Sequence, residues 1–106
     1  MTDIPAPVQR MVDATNAGDS DAFVAAFTDD AYLEDWGRRF HGHEGVRSWD
    51  STDNIGKRAH FEPRGARPDG DDWIVTLHVT GGGFNGTSDI RFHLTGDRIA
   101  RMLITA

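Results

Sequence analysis

Apolar residues in the first part of the chain recur at helical spacing. Val8, Met11, Val12 and Thr15 fall on one face after Pro5 and Pro7, and Asn16-Ala17-Gly18 supplies a stop. Asp19 or Ser20 can cap a second helix whose apolar face is Ala22, Phe23, Ala26 and Phe27. Asp21 then lies in its first turn, where a carboxylate complements the helix dipole, and Thr28-Asp29-Asp30 breaks the pattern. Residues 32–36 read as a short strand, 37–42 as a polar loop, and 44–51 as a third helix burying Val46 and Trp49. Extended structure resumes at His60-Phe61-Glu62.

From there the pattern is that of strands, with breakers at Arg67-Pro68-Asp69-Gly70 and at Asn85-Gly86. Asn-Gly is a strong hairpin signal, because both residues tolerate the positive φ of a type I′ turn. With Asn85 and Gly86 as the two turn residues, Phe84 faces Thr87, Thr80 faces Arg91, His78 faces His93, and Leu77 faces Leu94. Alternation then puts Trp73, Val75, Leu77 and Val79 on one side with Ile90, Phe92 and Leu94. Thr76, His78, Thr80, Asp89, Arg91 and His93 share the other side, which is polar. A last strand, Arg98 to Ile104, follows the Thr95-Gly96-Asp97 turn, and Gly81-Gly82-Gly83 can place a bulge before the hairpin tip.

Helix, helix, strand, helix and then strands is an α+β order. A chain of 106 residues with 38% hydrophobic composition is expected to form one domain, residues 1–106, around a single core. It has no cysteine, which excludes thiolate catalysis, disulfides and thiolate metal sites. A formal charge of −6 argues against a nucleic-acid partner, since phosphate binding needs a basic surface. No apolar run approaches the ~20 residues that span a bilayer, and residues 1–7 lack a basic stretch followed by an apolar one. A cytoplasmic protein without a membrane partner is the expectation.

The chemistry-bearing stretch is Ala31-Tyr32-Leu33-Glu34-Asp35-Trp36-Gly37. A carboxylate beside an indole is partly desolvated, which raises its pKa toward the range useful to a general base; an arginine turned inward from Arg38 or Arg39 has the opposite effect. Asp before Trp-Gly also suits a turn residue that accepts backbone hydrogen bonds. Tyr32, three residues before Asp35, projects to the other side of a regular strand. His41 and His43, with Asp35, have the make-up of a two-His, one-carboxylate set, but His-Gly-His-Glu reads as a loop entering a helix, and no metal site is expected. His60 opens a strand from which it can reach a pocket mouth. Trp36, Trp49 and Trp73 have the bulk to wall a pocket for a flat or polycyclic ligand, or to fill a core.

The run from Val8 through Asn16-Ala17-Gly18-Asp19, continued by Phe27-Thr28-Asp29-Asp30-Ala31 to Glu34-Asp35, resembles the steroid Δ-isomerase branch of the nuclear transport factor 2 superfamily. Phe40-His41-Gly42-His43-Glu44-Gly45-Val46 and Gly96-Asp97-Arg98-Ile99 are similar to its SnoaL-type members. The resemblance covers nearly the whole chain. It implies a conical α+β barrel, three N-terminal helices packed on a curved antiparallel β-sheet, with a blind apolar pocket. It also implies a homodimer, here through the outer sheet face around Thr76, His78, Arg91 and His93, and no metal or organic cofactor. Asp35 falls at the position of the isomerases' general base. Their two oxyanion donors fall at Met11 and Ile90, neither of which donates a hydrogen bond, so authentic steroid Δ-isomerase activity is not expected. Asp89 is one residue away but on the opposite face in the hairpin register. The expected site is Asp35 as catalytic base, with Met11, Trp36, Trp49, Trp73, Val75, Leu77 and Ile90 against a small apolar or polycyclic molecule. Two readings remain open: a cofactor-independent isomerase or cyclase type of enzyme acting on a carbonyl-bearing or polycyclic substrate, and a non-catalytic binding or dimerisation module of the same fold.

Overall fold

The computed structural model describes residues 4–105. Helix α1 (Ala6–Ala17) has a proline in its first turn, where the missing N–H costs nothing, and ends at Gly18, whose φ of 70° is the left-handed cap that glycine adopts without strain. Helix α2 (Ser20–Ala25) is capped by Asp19, whose carboxylate accepts from the Ala22 amide at 3.0 Å. It is shorter than its apolar pattern suggests: Phe27 opens strand β1 (Phe27–Asp35), and Thr28-Asp29-Asp30 lies within that strand instead of breaking a helix. Phe23 and Phe27 still meet, with ring centroids 5.3 Å apart. The loop expected over 37–42 contains strand β2 (Arg38–His41), joined to β1 by a two-residue turn in which Trp36 and Gly37 have φ of 51° and 86°. Helix α3 (Gly42–Asp53) and a 3-10 turn (Ile55–Lys57) lead to strands β3 (His60–Asp69), β4 (Asp72–Thr80), β5 (Gly86–Thr95) and β6 (Arg98–Ile104).

The six strands form one open sheet in the order β2-β1-β6-β5-β4-β3, and this corrects the conical barrel of curved antiparallel strands that the resemblance implied. The sheet is mixed: β3 to β6 meander antiparallel, while β6 returns parallel to β1, with Asp35 opposite Ile104. Closure would require β2 to pair with β3. Strand β2 has only four residues, and β3 carries Pro63 and Pro68, which have no N–H to donate, with its register broken between Pro63 and Gly65. Proline and irregularity of this kind belong to free sheet edges.

The β4–β5 hairpin is a second correction. His78 pairs with Thr87, not His93, Leu77 with Ser88, not Leu94, and His93 with Asp72, a slip of six positions. The Gly81–Asn85 segment forms a loop, and the Asn85 side chain closes it by accepting from the Gly81 amide and donating to the Gly81 and Gly83 carbonyls. Because six is even, the faces survive the slip: Trp73 opposes Phe92 and Val75 opposes Ile90 on the side that packs on the helices. Val75, Leu77, Phe92, Ile99 and Met102 of the sheet are fully buried against Val8, Met11, Phe23 and Val46 of the helices. No helix among the described residues is long and apolar enough to cross a membrane.

Candidate functional site

Alternation along β1 fixes where its last side chain goes. Ala31 and Leu33 are fully buried, so Asp35 is the next residue on the inward face and carries a carboxylate to the edge of the core. Tyr32 is on the other face, where its hydroxyl donates to Glu34 at 2.5 Å and its ring lies 5.2 Å from that of His41. That bond to a carboxylate holds the Tyr32 phenol above its ordinary range.

The β1–β2 turn sets the first partner of Asp35. Residues flanking a two-residue turn oppose each other, and here they are Asp35 and Arg38. The Arg38 guanidinium donates to Asp35 Oδ2 at 2.6 Å and to the Asp53 carboxylate at the end of α3. Held first by Asp53 and then by Asp35, with desolvation opposing, Arg38 is more firmly protonated than an ordinary arginine. The two arrangements open in the sequence, an arginine on Asp35 or one in solvent, are combined at Arg38, whose guanidinium bonds Asp35 while its side chain stays 54% exposed; Arg39 is exposed as well.

The second partner comes from α3. Val46, Trp49, Asp50 and Asp53 follow helical spacing on its buried face, and Trp49 Nε1 donates to the same Asp35 Oδ2 at 3.0 Å. Trp49 is 4% exposed and stacks on Phe23. Trp36, the sequence neighbour, is 65% exposed, so the indole that contacts Asp35 is fourteen residues away in sequence. Both donors reach Oδ2, and among the described residues no donor reaches Oδ1. The Asp35 side chain is 17% exposed.

This carboxylate stands on the wall of a cavity of about 630 Å³ that opens between the end of β1, the end of α3, the β4–β5 loop and the end of β6. Of the residues expected around a ligand, Trp36, Trp49 and Ile90 line it. Met11, Val75 and Leu77 are fully buried in the core, and Trp73 packs at the core's margin; none of the four is on the cavity wall. The wall includes residues the sequence reading did not single out: Asp53, Asn54, Phe61, Val79, Phe84 and Met102. Asp53 was detectable in principle, because it sits four residues after Trp49 and therefore on the same helix face. Asn54 is buried and donates to Thr15 Oγ1 at 3.0 Å and Asp50 Oδ1 at 3.1 Å, tying α1 to the end of α3 beneath the cavity.

The histidines are dispersed. His41 lies on β2 opposite Tyr32, His43 Nε2 is 2.9 Å from the Phe27 carbonyl, and His60 is exposed at the start of β3. Among the described residues no three of His, Asp and Glu come together as a ligand set. His78 Nδ1 is 3.1 Å from Thr87 Oγ1, and His93 Nδ1 is 2.7 Å from Asp72 on the outer sheet face. Asp89 lies on that outer face by register, where its carboxylate accepts from Thr76 Oγ1 at 2.5 Å, and it also borders the cavity.

The geometry has relatives. The SnoaL-like domain model matches residues 8–102. The chain is 30% identical to protein SMa1630 of Sinorhizobium meliloti, a candidate polyketide cyclase, with 96% of this chain and 95% of that one covered and a TM-score of 0.82. At 23% identity it shares its fold with SalBIII, an epoxide hydrolase/cyclase-like enzyme in pyran ring formation of the polyether salinomycin (93% and 86% covered, TM-score 0.79). A computationally designed 17-OHP binder has the same fold at 16% identity (97% and 92% covered, TM-score 0.79). No curated protein matches the chain. A family model that runs from the first turn of α1 to β6, together with a relative similar over almost its full length, identifies this chain as a member of the SnoaL-like family.

Proposed function

We propose that the protein is a cofactor-independent pocket enzyme of the isomerase or cyclase type, in which Asp35 accepts a proton from an apolar, carbonyl-bearing or polycyclic substrate. The observation that carries this reading is the asymmetry of the Asp35 carboxylate. Trp49 Nε1 and Arg38 fix it through Oδ2, and among the described residues Oδ1 is left without a donor, on a side chain at the wall of a cavity large enough for a small molecule. A base needs that combination: a fixed carboxylate with one free lone-pair oxygen within reach of a C–H or O–H. The candidate cyclase and the cyclase-like enzyme among its structural relatives support the reaction class, and the designed binder supports an apolar polycyclic occupant.

In this reading Asp35 Oδ1 takes the proton, Arg38, itself anchored by Asp53, positions the carboxylate and balances its charge, and Trp49 fixes its plane. Phe61, Val79, Ile90 and Met102 exclude water from the substrate's apolar body. A binding module is the second reading, and two observations favour it: the Asp35 carboxylate is already engaged in an ion pair with Arg38, and of the two expected oxyanion positions Met11 is sealed in the core and Ile90, on the cavity wall, has no donor.

The two readings separate on α-proton exchange of 2-tetralone in D2O, followed by NMR. Exchange above the buffer rate that Asp35→Asn lowers by about a hundredfold or more is expected for a general base. A probe that binds the cavity and exchanges no faster than in buffer leaves the binding module in possession of the site.

A further inference from the structure

Two large apolar side chains stand in solvent among the described residues, Trp36 at 65% and Phe84 at 56% exposure. One belongs to the β1–β2 turn and the other to the β4–β5 loop, yet both line the same cavity. A single exposed aromatic needs no explanation; the convergence of the two on one opening does.

Trp36 is the wrong residue for its backbone. Its φ of 51° is the left-handed conformation that the turn requires, which Gly, Asn and Asp adopt readily and a bulky side chain adopts under strain. The surroundings enforce it, with the Trp36 amide donating to the Ile104 carbonyl at 2.9 Å and Gly37 completing the turn. The ring is not recovering that strain by packing, since it is mostly in water. Phe84 is held as firmly. Its loop is pinned by the Gly82 amide on the Lys57 carbonyl at 2.7 Å and by the three Asn85 side-chain bonds. Its ring rests over Gly86, where an added Cβ would lie 3.0 Å from Phe84 Cζ, so the absence of a side chain at 86 gives the ring its seat.

We infer that Trp36 and Phe84 are specificity-determining residues that lay their ring faces on the outward part of a ligand whose reacting end is at Asp35. This deepens the reading of the cavity as a ligand site and rests on it. Two aromatic rings carried on pinned backbone at one opening favour a flat, unsaturated ring system. A puckered ring of the same carbon skeleton presents axial hydrogens and meets neither face at stacking distance, and the difference is worth about tenfold in affinity.

The test is calorimetric titration of the wild type, Trp36→Asn and Phe84→Ser with 2-naphthol and with decahydro-2-naphthol, alongside thermal unfolding and sedimentation of each protein. The wild type is expected to bind the flat alcohol about tenfold more tightly. Each substitution is expected to bring that ratio toward unity, and Trp36→Asn to raise the thermal midpoint, because asparagine accepts the left-handed φ. Equal binding of the two alcohols by the wild type overturns the inference and leaves the cavity a ligand site; binding of neither overturns the cavity reading, and the inference with it. A ratio that survives both substitutions also refutes it. If the ratio survives while the substitutions abolish self-association, the aromatic pair is a contact between copies of the chain instead. A lowered midpoint for Trp36→Asn shows the ring to be a structural prop and counts against the proposal.

Discussion

Replacing Trp49 with phenylalanine removes one hydrogen-bond donor from Asp35 while keeping an aromatic ring against Phe23. The indole is 4% exposed and stacks on Phe23 with centroids 6.0 Å apart and planes 26° from parallel, so a phenyl group can preserve that contact. Two losses follow. A hydrogen bond to a charged acceptor contributes about 1.5–3 kcal/mol, and the lower figure applies because Arg38 shares the same oxygen and the Asp35 side chain keeps 17% exposure, letting water compensate. The missing five-membered ring leaves a small void costing about 1 kcal/mol. Of the resulting ~2.5 kcal/mol, only the hydrogen-bond part depends on Asp35. A double-mutant cycle of Trp49→Phe with Asp35→Ala, read by urea unfolding and far-UV circular dichroism, should therefore give a coupling of about 1.5 kcal/mol. Alanine is the right partner because asparagine would still accept the indole N–H. If the two substitutions add to within about 0.5 kcal/mol, the bond that fixes the carboxylate contributes nothing and the argument for a preorganised base loses its main support.

Three further outcomes are expected. The Asp72 carboxyl is held below its ordinary 3.8 by the His93 hydrogen bond first and Arg91 second, against desolvation; a depressed folded value stabilises fully above about pH 4 and is lost as pH falls through it. Asp72→Asn should thus be less stable than wild type at neutral pH, with the gap closing in acid unfolding below about pH 4; a gap that persists there excludes the linkage. No appreciable turnover of a Δ5-3-ketosteroid is expected in a spectrophotometric assay, since Met11 is sealed in the core and Ile90 offers no donor; rates of a dedicated isomerase would mean that an oxyanion donor has been overlooked. Gly56→Ala should destabilise by more than about 2 kcal/mol in chemical unfolding, because its Cβ would sit 1.6 Å from the Ser51 carbonyl oxygen, and a neutral effect would show that the 3-10 turn yields freely.

The apolar periods of the helices and strands were legible because they are local. Val8, Met11 and Val12 on α1, Val46 and Trp49 on α3, and Val75, Leu77, Val79, Ile90 and Phe92 of β4 and β5 are buried where alternation and helical spacing put them, while Trp73 and Leu94 of the same set are half-buried at the margin. Register was not legible, and the reason is instructive. Sorting Leu77 and Phe92 onto one face tests only the parity of the pairing, so a six-residue slip passes unnoticed. Asn85-Gly86 pointed to a two-residue turn, but the Asn85 side chain bonds across a longer loop, a choice that turn propensity does not distinguish. Closure was not legible either. It depends on whether β2 can meet β3, and the parallel pairing of β6 with β1 is a long-range contact that leaves no mark on any short stretch.

The candidate site shows the same division between near and far. Asp35 was marked out by the tryptophan beside it in sequence and by the position of the family's base, and Trp49 by a helix face, but the hydrogen bond between them exists only because α3 packs beside the end of β1. Adjacency in sequence suggested Trp36 as the indole beside the carboxylate. A positive φ at Trp36 ends the alternation there, and its ring turns outward, so the residue next to Asp35 along the chain is the one that leaves the core. The same turn sets Arg38 directly opposite Asp35, which makes the ion pair between them a consequence of hairpin length. One two-residue turn therefore fixes three things together: the cation on Asp35, the oxygen left free of donors, and the aromatic ring at the cavity opening. Inserting one residue into this turn would take Arg38 out of register with Asp35 while leaving Trp49 in place, and would separate the indole's contribution to the carboxylate from the arginine's.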